Sequence, residues 1–316
     1  MTEAEIIIVG GGPAGSICAG KIKEAGREVL ILDKKVFPRT KLCAGWVTPR
    51  VWKLIGVSPK EYPHSILTFK KLNYFFNGKK IPLPTKQYSI RRYEFDHWLL
   101  ERSGAPVIQH DVKNIVQKDD GFVIDDQFKC KILVGAGGTN CPVYRTFFAK
   151  HRPRNPEKRI ATMELEFAYR YHDSNCYLWF FENDLSGYSW YVPKGGEFLN
   201  IGIGGKFLPM QQKGQTIQQH WNWFVEKLMV QQLISEKPVQ VKGYQYFLRH
   251  DEPAQLKDIY LVGDAAGLAT IDMGEGISPA IHSGLLAAKA ILSGQPYSLA
   301  PVSKYSLWDL LFWWRK

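Results

Sequence analysis

With 316 residues, 45% of them hydrophobic and 22% charged, the chain can bury a large core and is expected to fold as two closely joined regions. Five cysteines, an odd number with no C-x-x-C spacing, argue against a disulfide framework or a zinc site, and the eight histidines are scattered. The formal charge of +11 is spread along the chain without a nucleic-acid module, which points to a solvated basic surface or to an anionic lipid partner, not to nucleic acid.

The acidic start, Met1 to Glu5, runs straight into Ile6-Ile7-Ile8-Val9, with no signal peptide before it, so the cytoplasm is the expected location. That uninterrupted apolar run predicts a parallel strand covered on both faces. Gly10, Gly12 and Gly15 follow at G-x-G-x-x-G spacing, in the run Gly10-Gly11-Gly12-Pro13-Ala14-Gly15. Gly10 permits the sharp turn, Gly12 lets a pyrophosphate approach the backbone, and Gly15 lets the next helix press on the strand. The pyrophosphate is expected over free N–H groups at the helix N-terminus. A second strand, Glu28 to Leu32, delivers Asp33, followed by Lys34; an acid there can accept hydrogen bonds from ribose hydroxyls and would repel a 2′-phosphate. The spacing predicts a dinucleotide site and is silent on which dinucleotide.

Leu72 to Leu83 reads as a hairpin turning at Asn77-Gly78. Arg92 opens a helical segment through Phe95 and Leu99. The run Lys131 to Gly138 begins like a second nucleotide strand, but Asn140 stands at the third glycine position and no strand with a terminal acid follows, so no second Rossmann unit is expected. A nicotinamide donor, NAD(P)H or another reductant, would therefore bind only transiently. Residues 160–205 alternate in aromatic-rich, strand-like runs, and 214–234 has helical periodicity around Trp221, Phe224 and Leu228. In Tyr188-Ser189-Trp190-Tyr191-Val192-Pro193, strand alternation puts Tyr188 and Trp190 on one face and Tyr191 on the other. The Tyr188–Trp190 face lines either a ligand pocket or the sheet core.

Near the C-terminus, Lys257 to Val262 predicts a buried strand ending at Gly263-Asp264, with Ala265, Ala266 and Gly267 after it. A carboxylate at a strand's C-terminal end faces the ligand crevice of an open α/β sheet. Gly274-Glu275-Gly276-Ile277 then opens an apolar helix, Ala280 to Leu292, whose positive end could stabilise an anionic ring. Two such elements roughly 250 residues apart suit one long cofactor, FAD, with Asp264 on its ribityl hydroxyls. The nucleotide domain is then discontinuous, with pieces 1–60, 88–150 and 245–300. A substrate domain takes 61–87 and 151–244, and 301–316 forms an apolar tail. The tail from Ser306 to Lys316 is too short to span a bilayer. Its tryptophans and terminal cations suit either docking on the protein or contact with a membrane surface.

Five stretches together resemble the geranylgeranyl reductase family of FAD-dependent oxidoreductases, within the para-hydroxybenzoate hydroxylase-like group. They are Gly10–Gly15 with Asp33; Lys41-Leu42-Cys43-Ala44-Gly45; Arg92-Tyr93-Glu94-Phe95-Asp96 with Trp98-Leu99; Tyr188 to Pro193; and Gly263–Gly267 with Gly274-Glu275-Gly276. The resemblance implies a Rossmann-like α/β FAD domain joined to an antiparallel-sheet substrate domain. It implies that Arg92 reaches the FAD phosphates and that the Cys43 loop lies against the isoalloxazine ring and the substrate. Tyr188, Trp190 and Pro193 match the family's aromatic-Pro motif, which makes Tyr188 and Trp190 catalytic candidates if their face lines the pocket. Cys43 either tunes the flavin or assists protonation, or is a small buried hydrophobe, and Tyr188 is the other candidate proton donor. Where the family has Ala-Asp-Gly, this chain reads Ala136-Gly137-Gly138, so one cofactor-side contact is altered at Gly137.

The expected activity is hydride transfer from reduced flavin to C=C bonds of a hydrophobic, prenyl-like substrate. The alternative is a monooxygenase or halogenase acting through a flavin C4a-peroxide, since Tyr188 to Pro193 is also similar to the aromatic-Pro signature of flavin halogenases. A non-catalytic flavin-binding or lipid-surface protein is the third reading.

Overall fold

The computed structural model describes residues 1–250 and 253–311. Its principal strands are β1 (Ile6–Val9), β2 (Val29–Asp33), β3 (Leu67–Phe76), β4 (Lys79–Ser89), β5 (Ile132–Gly135), β6 (Arg159–Ala168), β7 (Cys176–Phe180), β8 (Gly187–Lys194), β9 (Phe198–Lys206) and β10 (Ile259–Leu261). Its principal helices are α1 (Pro13–Glu24), α2 (Arg92–Ser103), α3 (Ile217–Val230) and α4 (Ile277–Ser293). The chain divides into two units. The first comprises Met1–Arg39, Tyr93–Arg154 and Phe247–Ser306, and the second comprises residues 40–92, 155–246 and 307–311.

The first unit is built on a six-stranded sheet in the order Gln255–Leu256, β10, β5, β1, β2, Val107–Gln109. Its pairs are parallel except the one made by Gln255–Leu256. The strands are apolar throughout because both faces are covered. Ile7, Val9, Leu30, Leu32, Leu133 and Leu261 pack beneath Phe122, Ile124 and Phe128. The last three belong to a smaller four-stranded sheet that begins at Thr2–Glu3. Ile6, Ile8, Ile31 and Val134 meet α1 and α4 through Cys18, Ile22, Ala287 and Ile291. The two helices cross where Gly284 lies against Ala14: a Cβ there would overlap the Ala14 carbonyl oxygen. β5 is thus an interior strand of the same sheet as β1.

The register decides where loops emerge. Gly135 is level with Val9 on one side and with Leu261 on the other. The chain therefore leaves β1, β5 and β10 at one edge, carrying Gly10–Gly15, Ala136–Gly138 and Gly263–Gly267 to the same end of the sheet.

The second unit holds an eight-stranded sheet ordered Lys242–Phe247, β6, β9, β8, β7, β3, β4, Trp46–Val47. The β7–β3 pair is parallel. Asn77 (φ 48°) and Gly78 (φ 74°) close the β3–β4 hairpin, as Asn-Gly does in a primed turn. One face, with Met163, Tyr177, Trp179, Tyr191, Ile201 and Ile203, packs on Trp221, Phe224, Val225 and Leu228 of α3. Thr216 and Gln219 form a capping box at the start of α3. The segment around Cys43, which the sequence groups with the nucleotide domain, belongs here: Trp46–Val47 pairs with β4, and Ile90 N–H donates to Gly45 O at 2.8 Å.

Leu307–Leu311 is a short helix, with the Gln87 amide donating to Asp309 O at 3.3 Å. Residues 312–316 of the apolar tail lie outside the described residues. Among the described residues no helix is long and apolar enough to cross a membrane.

Candidate functional site

At the first unit's loop edge, the glycines form a wall of bare backbone. Gly10 has φ 117°, a conformation few other residues adopt, and a Cβ at Gly15 would overlap Gly10 O. Pro13 and Ala14 are buried as α1 begins. Gly12 caps that helix, and the nearest atom to a Cβ there is Nη2 of Arg39, at 3.5 Å. The Arg39 guanidinium is paired with the fully buried Asp96, Nη1 to Oδ2 3.2 Å. A helix N-terminus with a fixed guanidinium beside it suits a diphosphate. Arg39 carries no motif and escaped the sequence reading.

Asp33 is buried at the end of β2. Its Oδ2 accepts from Gly11 N–H at 2.7 Å and its Oδ1 from Lys35 N–H at 2.8 Å, so the carboxylate braces the glycine turn. Each oxygen keeps a further lone pair for a ribose hydroxyl. Lys34 is exposed beside it.

Across the same edge, Asp264 is half-buried, and its Oδ1 lies 3.5 Å from where a Cβ of Gly276 would stand. Gly276 is the N-cap of α4 and the buried Ile277 its first residue. Gly263 N–H donates to Ser283 Oγ of α4 at 2.9 Å, and Gly274 N–H to Thr270 O at 3.0 Å. Gly267 ends the turn in the left-handed region, against His250. Arg154 ties two loops together: its guanidinium donates to Asp264 O (3.3 Å), Ala265 O (3.1 Å) and Thr139 O. Thr139 lies two residues past Gly137, the position where the family's acid is missing. Glycine backbone, Arg39, Asp33 and Asp264 are the donor and acceptor set that an FAD requires, so the residues present fit that group. Arg92 is buried at the head of α2, and its charge bears on Glu164.

In the second unit, Tyr188 and Trp190 lie on the sheet face opposite the α3 core, to which Tyr191 belongs. Tyr188 stacks on Phe180 (5.1 Å between centroids), Phe180 on Tyr74 (5.5 Å), and Tyr188 is 5.7 Å from Trp190. The register sets Trp190, Gly202 and Glu164 side by side on β8, β9 and β6. Gly202 leaves room for the indole, which reaches over it toward Glu164: a Cβ there would overlap Trp190 and come within 2.7 Å of Glu164 Cβ.

A buried polar cluster surrounds this row. Trp190 Nε1–H donates to Asn200 Oδ1 at 2.7 Å, and Asn200 Nδ2 donates to Cys43 O at 3.4 Å. Asn200 also hydrogen-bonds the Glu164 carboxyl, whose Oε2 is buried with no hydrogen-bond partner. Burial pushes that carboxyl up to about 7, against the opposing pull of Lys41, Lys194, the Asn200 hydrogen bond and Arg92. Lys194, also fully buried, donates to Ile90 O at 2.9 Å and to Ala44 O, bracing the Cys43 loop; burial lowers its pKa. Gly45, at φ 62°, has no room for a side chain between Ile90 O and Lys194 Nζ. Cys43 is half-buried, its sulfur accepting from Gly45 N–H at 3.4 Å. Glu164, Asn200 and Lys194 were not singled out in sequence. The one signal they leave is a polar residue at alternate positions of otherwise apolar strands.

No protein-family model matches the chain. An uncharacterised protein of Methanosarcina barkeri is 31% identical over 313 residues, covering 93% of this chain and 76% of its own. Digeranylgeranylglycerophospholipid reductase 3 of Methanosphaera stadtmanae is 26% identical over 336 residues, covering 97% and 82%. Among solved structures, a geranylgeranyl bacteriochlorophyll reductase-like protein from Thermoplasma acidophilum superposes with TM-score 0.80 at 19% identity, covering 95% of this chain and 81% of that one. A flavin-dependent brominase shares the fold at TM-score 0.73 and 18% identity, covering 98% and 84%. The fold is that of the para-hydroxybenzoate hydroxylase-like flavoproteins, and by its relatives the chain belongs to the geranylgeranyl reductase family of FAD-dependent oxidoreductases.

Proposed function

We propose that this enzyme reduces C=C bonds in a hydrophobic, prenyl-like substrate. The observation that carries the reading is the aromatic row on the second unit's sheet face opposite α3. It runs from the half-exposed Phe76 and Phe181, through Phe180 and Tyr188, to buried Trp190 and its polar cluster. Such a lane fits a long unsaturated chain, with polar groups at one end only. Relatives named for digeranylgeranylglycerophospholipid reduction support the same substrate class.

Bound FAD supplies hydride to the substrate when reduced. The backbone around Gly12 and the Arg39 guanidinium would hold its diphosphate, Asp33 its ribose and Asp264 its ribityl hydroxyls. The N-terminus of α4 at Gly276–Ile277 would favour negative charge on a ring bound beside it by roughly 0.3–1 kcal/mol. Tyr188 and Trp190 orient the apolar chain and exclude water, and Cys43 sits on the loop that Lys194 braces. With no second nucleotide fold in the sequence, a donor such as NAD(P)H would bind only transiently.

The test is to reduce the FAD-loaded protein with dithionite under nitrogen and add a digeranylgeranylglycerophospholipid. Reoxidation with a product heavier by two hydrogens per double bond is expected. A protein that stays reduced until oxygen enters, and then yields an oxygenated or halogenated product, would favour the monooxygenase–halogenase reading, which rests on the shared fold of the brominase.

A further inference from the structure

Reducing a C=C bond adds two hydrogens of different origin. A hydride from the reduced cofactor forms one C–H bond as the π pair is consumed, and a proton must form the other. The cofactor is oxidised, the alkene is reduced, and the proton donor is left as its conjugate base, to be reprotonated from water. On the reductase reading above, the reaction therefore needs a proton donor beside the substrate, and an acid that is neutral near physiological pH would serve.

We propose that Glu164 donates this proton. Its carboxyl lies on the same sheet face as Trp190, one strand away across side-chain-free Gly202. One oxygen is fixed by Asn200, which also holds the Trp190 indole and the Cys43 carbonyl. The other oxygen, Oε2, is buried with no partner in the protein, as a group awaiting a ligand would be. The charged groups facing it are Lys41, Lys194 and Arg92, with Glu166 and Cys43 acting on Lys194 in turn. Those cations stabilise the carboxylate left after transfer, while burial keeps the acid protonated up to about neutral pH. A carboxylic acid is also a stronger proton donor than the thiol of Cys43 or the phenol of Tyr188 as chemical classes.

The test compares wild type, E164Q and E164D as FAD-loaded full-length protein, with two readouts. The first is infrared difference spectroscopy across pH 5–9 without substrate: a protonated-carboxyl band should disappear near pH 7 in wild type and be missing in E164Q. The second is anaerobic reoxidation of dithionite-reduced protein by a digeranylgeranylglycerophospholipid. The wild-type rate should fall above about pH 7. E164Q should be slower by about 10²-fold or more with that pH limb lost, and E164D should retain the limb. Bound FAD and its visible spectrum report folding of each variant. Equal rates and pH profiles in wild type and E164Q, or no titrating carboxyl in wild type, would overturn the proposal alone. A wild type that never reoxidises would overturn the reductase reading, and this proposal with it.

Discussion

Glu164 makes a claim on stability that needs no substrate. Burial pushes its carboxyl up to about 7 in the folded chain, from the ordinary carboxylate value of about 4.5 that it regains when unfolded. Between those values the native state holds the extra proton, so stability is full below pH 4.5 and falls as pH rises to about 7. Above that it is flat, the loss totalling about 3 kcal/mol. Denaturant melts at pH 5 and pH 8 should show this drop in wild type and little of it in E164Q; an equal drop in both would place the titration elsewhere. Gly202 is the steric counterpart. In G202V the new side chain must displace the Trp190 indole, and a loss of about 1–3 kcal/mol with altered tryptophan fluorescence is expected. An unchanged melt would show that Trp190 has slack on that side. These residues were hard to read beforehand because each is ordinary alone. Glu164 sat in a recognised strand-like run, but only the β6–β9–β8 register sets it beside Trp190, and register depends on pairing partners far away in sequence.

At the scale of elements, the first unit depends on α1 and α4 packing tightly on one face of the parallel sheet. Gly284 permits that approach to Ala14, so G284A should lower stability by about 1–3 kcal/mol in a thermal or urea melt. Loss of a cap is smaller: T216A removes the capping box of α3 and should cost about 1 kcal/mol, measured the same way. An effect of T216A exceeding that of G284A would show that the crossing has been overvalued. Local pattern revealed most of these elements. The apolar runs of β1, β2 and β5, the Asn77-Gly78 turn and the periodicity of α3 all carry their signals within a few residues. The segment around Cys43 did not, because Trp46–Val47 is too short to announce a strand and gains its place by pairing with β4.

For the whole molecule, the legible part was the pairing of two distant glycine-rich turns. The level ends of β1, β5 and β10 bring Gly10–Gly15 and Asp264 to one edge. The cations beside them were not legible: Arg39 and Arg154 act through loops with no fixed spacing to a strand. The central claim is that this one edge grips a single FAD. It is tested most directly by titrating apo-protein with FAD and following the bound-flavin spectrum in wild type, G12V and D264A. One FAD per chain is predicted for wild type, with D264A weakened roughly 10- to 100-fold by loss of charged hydrogen bonds, and G12V weakened further while retaining the wild-type far-ultraviolet spectrum. Wild-type affinity in both variants would contradict the account.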